Sequence, residues 1–120
     1  MTIAQDFLTQ TEALKQLYSF DERNDEPVKI EAYLEQYPFL IPLLHEAYPK
    51  IRQYFPDADL YLEVFRFYDT GGDEIQMFAK IAPTCEPEES VQVLNRFDHE
   101  WWYEASERAQ GKMEIMVMYK

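Results

Sequence analysis

Residues 59–81, DLYLEVFRFYDTGGDEIQMFAKI, decide the fold of this chain. From Asp59 the apolar side chains recur with a period of two, as they do in a strand. One predicted face carries Leu60, Leu62 and Val64, and the other carries Tyr61, Phe65 and Phe67. Residues 70–73 have tight-turn chemistry, and a second alternating run follows over residues 75–81. The stretch therefore predicts a β-hairpin.

Helical periodicity precedes the hairpin. It predicts helices over residues 2–18 and 27–37 and a third helix that opens at Pro42 and stops at Pro56. Pro49 lies inside the third helix, where it removes one backbone hydrogen bond and clashes with the carbonyl group of His45. We expect a kink or a break there.

Helical spacing returns over residues 87–107, and residues 112–120 close the chain as a strand. The predicted order is ααα-ββ-α-β, an α+β fold in one domain of residues 1–120 with a small, mostly antiparallel sheet. The second face of this sheet is also apolar, since it carries Phe65, Phe67, Phe78, Met116 and Met118. We expect either the N-terminal helices or a second copy of the chain to cover it.

The composition describes a folded and strongly acidic chain. It has 120 residues, 47% of them hydrophobic, and 23 acidic against 11 basic side chains give a net charge of −12. No stretch gathers enough Lys or Arg to neutralise phosphates, so direct nucleic-acid binding is not expected. The charge is interpreted either as a solvated surface that keeps the chain soluble or as the complement of a basic protein partner.

The expected location is the cytoplasm. Cys85 is the single cysteine and cannot form an intramolecular disulfide. The first residues, MTIAQDFLTQTEALK, lack the basic and apolar regions of a signal peptide. The longest apolar run, residues 39–44, is far shorter than the ~18 residues of a membrane span.

Catalytic and metal-binding patterns are weak in this sequence. Cys85 precedes a predicted helix N-terminus, which favours a reactive thiolate, but Glu86, Glu88 and Glu89 oppose that charge. His99 and Glu100 begin a zinc-peptidase pattern that Tyr103 breaks. No metal or cofactor is predicted.

The turn of the hairpin offers a weak calcium candidate. Asp69, Asp73 and Glu74 bracket two glycines and carry the carboxylates that Ca²⁺ prefers. Asp and Gly also suit a tight turn for conformational reasons alone, which is the interpretation we adopt.

The most distinctive segment is FDHEWWY, residues 97–103. Adjacent residues of a helix point about 100° apart, so Trp101 and Trp102 both reach a core only if it wraps that side of the helix. Exposed aromatic side chains are common anchors at protein interfaces, which makes Trp101, Trp102 and Tyr103 interface candidates as well as core candidates. Three neighbouring side chains form a possible acid/base cluster: Asp98, His99 and Glu100.

Four elements carry a family resemblance: LYxFD at residues 17–21, PFLIPLL at 38–44, KIRxYFP at 50–56 and FDxEWW at 97–102. Through them the chain resembles an uncharacterised family of small acidic cyanobacterial proteins. The resemblance spans nearly the whole chain and implies a free-standing cytoplasmic domain, with no activity to carry over.

Three functional hypotheses follow from the sequence. The first is a non-enzymatic interaction or regulatory module whose acidic surface meets a basic partner or a second copy of the chain. The second is a small enzyme that uses Cys85 or the Asp98, His99 and Glu100 cluster. The third is an acidic mimic of nucleic acid that blocks a basic protein.

Overall fold

The computed structural model describes the backbone of residues 3–21, 30–67 and 74–118 and the side chains of residues 9–20, 30–65 and 75–118. Four strands form one sheet in the order β1-β2-β3-β4. They are β1 (Ser19–Asp21), β2 (Asp59–Phe67), β3 (Glu74–Ala82) and β4 (Met113–Val117). β2 and β3 pair antiparallel from end to end, as predicted. The turn at residues 70–73 lies outside the described residues.

The sheet is mixed, because each outer strand runs parallel to its neighbour. β1 pairs with β2 in the register Phe20 to Leu62, and β4 pairs with β3 in the register Ala79 to Ile115. The α+β fold is confirmed, but the expectation of a mostly antiparallel sheet holds only for the central β2–β3 pair. Parallel neighbours need crossover connections, and the helices between the paired strands supply them.

In the described ranges before the hairpin lie three helices: α1 (Ile3–Leu17), α2 (Ile30–Gln36) and α3 (Leu40–Tyr54). Of the predicted kink or break near Pro49, the break is wrong, since α3 runs through this residue, and the kink stays a prediction. Pro49 lies on the exposed side of α3, whereas Leu43, Leu44, Ala47 and Ile51 are fully buried. Burying each large side chain contributes about 1.5–3 kcal/mol, so together they outweigh the ~3 kcal/mol cost of the proline.

A continuous helical segment connects β3 to β4. It comprises α4 (Pro87–Phe97), a π-helical turn (Asp98–Trp102), α5 (Tyr103–Ala105) and a 3₁₀ turn (Ser106–Ala109). The predicted helix over residues 87–107 is confirmed in extent, but the π-helical turn was not expected. Within the described ranges, no helix is both long enough and apolar enough to cross a lipid bilayer.

The helices pack on one face of the sheet and form a single core with it. The sheet contributes every second side chain of its central strands to this core, namely Leu60, Leu62, Val64, Met77, Ala79 and Ile81. The N-terminal helices bury their apolar side chains in this same core, so among the described residues they do not cover the second face.

The second face of the sheet carries a mixed apolar and ionic cluster. Phe65 and Phe78 make an edge-to-face contact with ring centroids 5.8 Å apart. The Lys80 ammonium lies 4.7 Å from the Phe65 ring centroid and pairs with the buried carboxylate of Glu63. Met116, on the neighbouring strand, is 39% exposed. A second copy on this face stays a prediction.

Candidate functional site

The π-helical turn determines which side chains of residues 97–103 face the core. The Tyr103 N–H donates to the Asp98 carbonyl, five residues back rather than four. The wider turn accommodates one extra residue compared with an α-helix. As a result Trp102, not Trp101, takes the next buried position after Phe97.

The three aromatic interface candidates therefore have different environments. Trp102 is 5% exposed and belongs to the core, so it is not an anchor. Trp101 is partly buried, with its ring 5.7 Å from that of Phe97 and 5.8 Å from that of Trp102. Tyr103 is 68% exposed. Of the three candidates, only Tyr103 presents most of its side chain to solvent.

Beside Tyr103 lies a cleft of about 250 Å³, which we call the acidic cleft. Its described lining residues are Asp98, Trp102, Tyr103, Ser106, Glu114 and Ile115. The helical segment supplies the first four, and β4 supplies the last two. Two carboxylates from distant parts of the sequence thus share one cleft.

Asp98 is the most unusual group in the acidic cleft. Its Oδ1 atom is buried and has no hydrogen-bond partner among the described residues. Burial raises the pKa of this carboxyl group, the nearby Glu114 charge raises it further, and His99 opposes the shift. The carboxylate form of Asp98 is therefore held at a free-energy cost that a cationic partner would reduce.

The predicted acid/base cluster is assembled only in part, since the His99 charge acts on Asp98 whereas Glu100 engages a different element. Asp98 lines the acidic cleft, whereas His99 is exposed and its ring stacks on that of Tyr103, with centroids 5.7 Å apart and planes 13° apart. Glu100 accepts a hydrogen bond from the Tyr54 hydroxyl group on α3. The three side chains thus engage different surroundings, because consecutive helical residues point in different directions.

Glu100 begins a row of carboxylates along the same helical segment. Glu100, Glu104 and Glu107 follow the i, i+4, i+7 spacing, and all three are exposed. We call these three residues the acidic stripe. Tyr103 lines the acidic cleft and directly precedes the second member of the stripe. Cleft, tyrosine and stripe together form the candidate interface.

Cys85 lies in a different and smaller cleft. This cleft has a volume of about 160 Å³, and its described lining includes Tyr54, Thr84, Glu89 and Val93. Neither histidine is among the described residues that line it. The thiol is only partly buried, and among the described lining residues it has carboxylates but no histidine as a base.

Metal binding has no support in the part of the chain that the structure describes. No three or more His, Cys, Asp or Glu side chains come together there as metal ligands would. The calcium candidates Asp69 and Asp73 and the side chain of Glu74 lie outside the described residues.

Sequence reasoning found Asp98 and Tyr103 but missed Ser106 and Glu114. Nothing in the local sequence distinguishes Glu114 from other strand carboxylates. It joins the site only because β4 pairs in parallel with β3 and lies beside the helical segment.

Comparisons of this chain with protein-family models, with curated proteins and with solved structures found no match. The resemblance to small acidic cyanobacterial proteins therefore stays a prediction from its motifs.

Proposed function

We propose that this protein is an interaction module that binds a basic segment of another protein through the acidic cleft and the acidic stripe. The observation that carries the proposal is the 68% exposure of Tyr103, a large aromatic side chain placed among carboxylates. Tyrosine is enriched at interfaces because its rigid ring buries a large area and its hydroxyl group stays able to hydrogen-bond.

Charge complementarity defines the partner. The stripe presents three exposed carboxylates along the helical segment, and the cleft adds those of Asp98 and Glu114. An arginine or lysine side chain of the partner would meet carboxylates in the cleft and an aromatic ring at its rim, which is the combination that favours cations. Long-range attraction to a chain with a net charge of −12 would also speed the encounter.

The other two hypotheses have less support. The enzyme hypothesis relied on Cys85 with a histidine base or on a converged cluster of Asp98, His99 and Glu100. Neither histidine is among the described residues that line the Cys85 cleft, and Glu100 accepts a hydrogen bond from Tyr54 on α3 instead. Mimicry of nucleic acid requires an extended row of charges. The stripe spans eight residues and thus about 10 Å, and it carries three charges over a length in which a duplex, with one charge per ~1.7 Å, carries about six.

The test is binding of a labelled arginine-rich peptide, measured by fluorescence anisotropy at low salt and at about 0.3 M salt. A peptide with glutamine in place of every arginine is the uncharged control. Two triple variants remove the same amount of charge from different places. One changes the stripe: Glu100→Gln, Glu104→Gln and Glu107→Gln. The other changes α1 and α2: Glu12→Gln, Glu31→Gln and Glu35→Gln.

We expect the stripe variant to weaken binding about tenfold, since three exposed ion pairs contribute a few tenths to one kcal/mol each. The α1–α2 variant should change binding by less than about twofold, because it alters only the long-range field. Tyr103→Ala should weaken binding at both salt concentrations. Equal losses in the two triple variants, or equal binding of the glutamine peptide, would contradict the proposal.

A further inference from the structure

A second cleft is larger than the acidic one, and its charged lining residue is a lysine. It has a volume of about 400 Å³ and is formed by the C-terminal part of α2, the start of β3 and the turn before β4. We call it the lysine cleft. Its described lining residues are Tyr33, Gln36, Tyr37, Ile75, Gln76, Gly111 and Lys112. A volume of this size is in the range of small-molecule sites, roughly 300–1,000 Å³.

The turn that carries Lys112 is held firmly in place. Gln110 and Gly111 both have left-handed backbone conformations, with φ of 53° and 75°. The buried Tyr33 hydroxyl group donates to the Lys112 carbonyl at 2.7 Å. The Gln76 amide, with its nitrogen toward the turn, donates to the Gly111 carbonyl at 3.0 Å and accepts from the Met113 N–H at 3.2 Å. The backbone beneath Lys112 is therefore fixed before any ligand arrives.

The described lining of this cleft carries a charge opposite in sign to that of the whole chain. None of its described lining residues is acidic, and no described carboxylate lies within ion-pair distance of the Lys112 ammonium group. Lys15 and Lys80, by contrast, each pair with glutamates. Lys112 Nζ instead lies 5.0 Å from the centroid of the Tyr37 ring. A lysine that faces a cleft without a carboxylate partner favours an anion there.

A neutral donor, the Gln36 amide, lines the same cleft as this cation. The Gln36 amide nitrogen donates one hydrogen to the Tyr37 hydroxyl group at 3.2 Å, and its second hydrogen is free for a ligand. One ammonium group and one amide N–H match the two oxygens of a carboxylate. A phosphate usually gathers several donors, such as arginines or a run of backbone N–H groups. The tyrosine rings and Ile75 supply apolar walls for the rest of the ligand.

From these observations we infer that the lysine cleft binds a small organic carboxylate with a planar apolar body. This site is separate from the proposed protein interface, and either proposal can fail without the other.

The experiment uses the full chain labelled with ¹⁵N and follows its NMR signals during titrations with benzoate, benzamide and inorganic phosphate. Benzoate and benzamide have nearly the same shape and differ in charge. We expect benzoate to shift the signals of Gly111 and of the Gln36 and Gln76 side chains saturably. Benzamide should bind about tenfold more weakly, because it lacks the charge-assisted hydrogen bond. Phosphate should leave these signals in place.

Lys112→Gln should weaken benzoate binding about tenfold and leave benzamide binding unchanged. The matched control is Lys50→Gln, which removes the same charge from α3, outside the described lining of this cleft. The spectra themselves report whether each variant is folded. Four outcomes would overturn the inference: no saturable shift with benzoate, equal affinity for benzamide, stronger binding of phosphate, or an equal loss in Lys50→Gln.

Discussion

The acidic cleft and the lysine cleft lie on either side of the start of β4, yet they are built in different ways. The acidic cleft depends on helix register, since the π-helical turn directs Asp98 and Trp102 toward Glu114 on the strand. The lysine cleft depends on a turn, since two left-handed residues place Lys112 between Tyr33 and Tyr37. In both, a local departure from regular backbone geometry determines which charged side chain lines the cleft. The net charge of the chain therefore does not describe each of its surfaces.

The largest expected effect is a difference in stability between two alanine variants, one at the buried wall of the acidic cleft (Trp102) and one at its rim (Tyr103). Trp102→Ala should lower the free energy of unfolding by about 3–5 kcal/mol, because it leaves a cavity in the core. Tyr103→Ala, at the adjacent and exposed position, should change it by less than about 0.5 kcal/mol. Urea denaturation measures both. Similar losses in the two variants would show that the π-helical turn does not assign the two residues to different environments.

An effect of intermediate size tests the turn beneath the lysine cleft. Gly111→Ala should cost about 1 kcal/mol, because alanine is strained at φ of 75° although its Cβ would meet no atom within 4 Å. Gln110→Gly introduces a glycine at the neighbouring left-handed position. It should leave the free energy of unfolding unchanged or raise it by up to about 1 kcal/mol. Thermal denaturation of the two variants measures the difference. A stabilised Gly111→Ala would contradict the left-handed geometry on which the lysine cleft depends.

The smallest effect is a pH dependence at Asp98. Its pKa is raised in the folded state, so folding binds the proton more tightly and stability falls as the pH rises above the unfolded pKa. Asp98→Asn removes this penalty. The variant should melt above the original chain at about pH 7, and the difference should shrink and vanish below about pH 4.

The control for this prediction is Glu104→Gln, which removes an exposed carboxylate from the same helical segment. Melting curves by circular dichroism across this pH range compare the three proteins. If Glu104→Gln gave the same pH-dependent gain, the burial of Asp98 and its proximity to Glu114 would not be the cause.

The sequence predicts much of this fold, because local periodicity reports which face of each element is buried. Alternation from Asp59 predicted the β2–β3 pair, and helical spacing predicted the segment from Pro87 onward. Local patterns could not predict β1, which has three residues and gains its pairing only from β2. Nor could they show that α3 would keep Pro49 in an unbroken helix, since that depends on the core around Ala47 and Ile51.

The two clefts were harder to predict than the fold. A regular helix with Phe97 buried would place Trp101 in the core, and the structure places Trp102 there. The choice depends on packing against β4, which no local pattern records. Lys112 was the first residue of a predicted strand and had no sequence feature to distinguish it. Its position in the cleft depends on Tyr33, which lies 79 residues away in the sequence and donates a hydrogen bond to the Lys112 carbonyl group.

The π-helical turn also bears on how this chain tolerates changes in length. Trp102 lies five positions after Phe97, whereas buried positions along a regular α-helix recur at three or four positions. Loss of a single codon between them, for instance that of His99, would restore the four-residue repeat and keep both aromatic rings directed inward. We expect the hydrophobic core to keep both rings after such a deletion, whereas the spacing of the surface charges around Tyr103 would change.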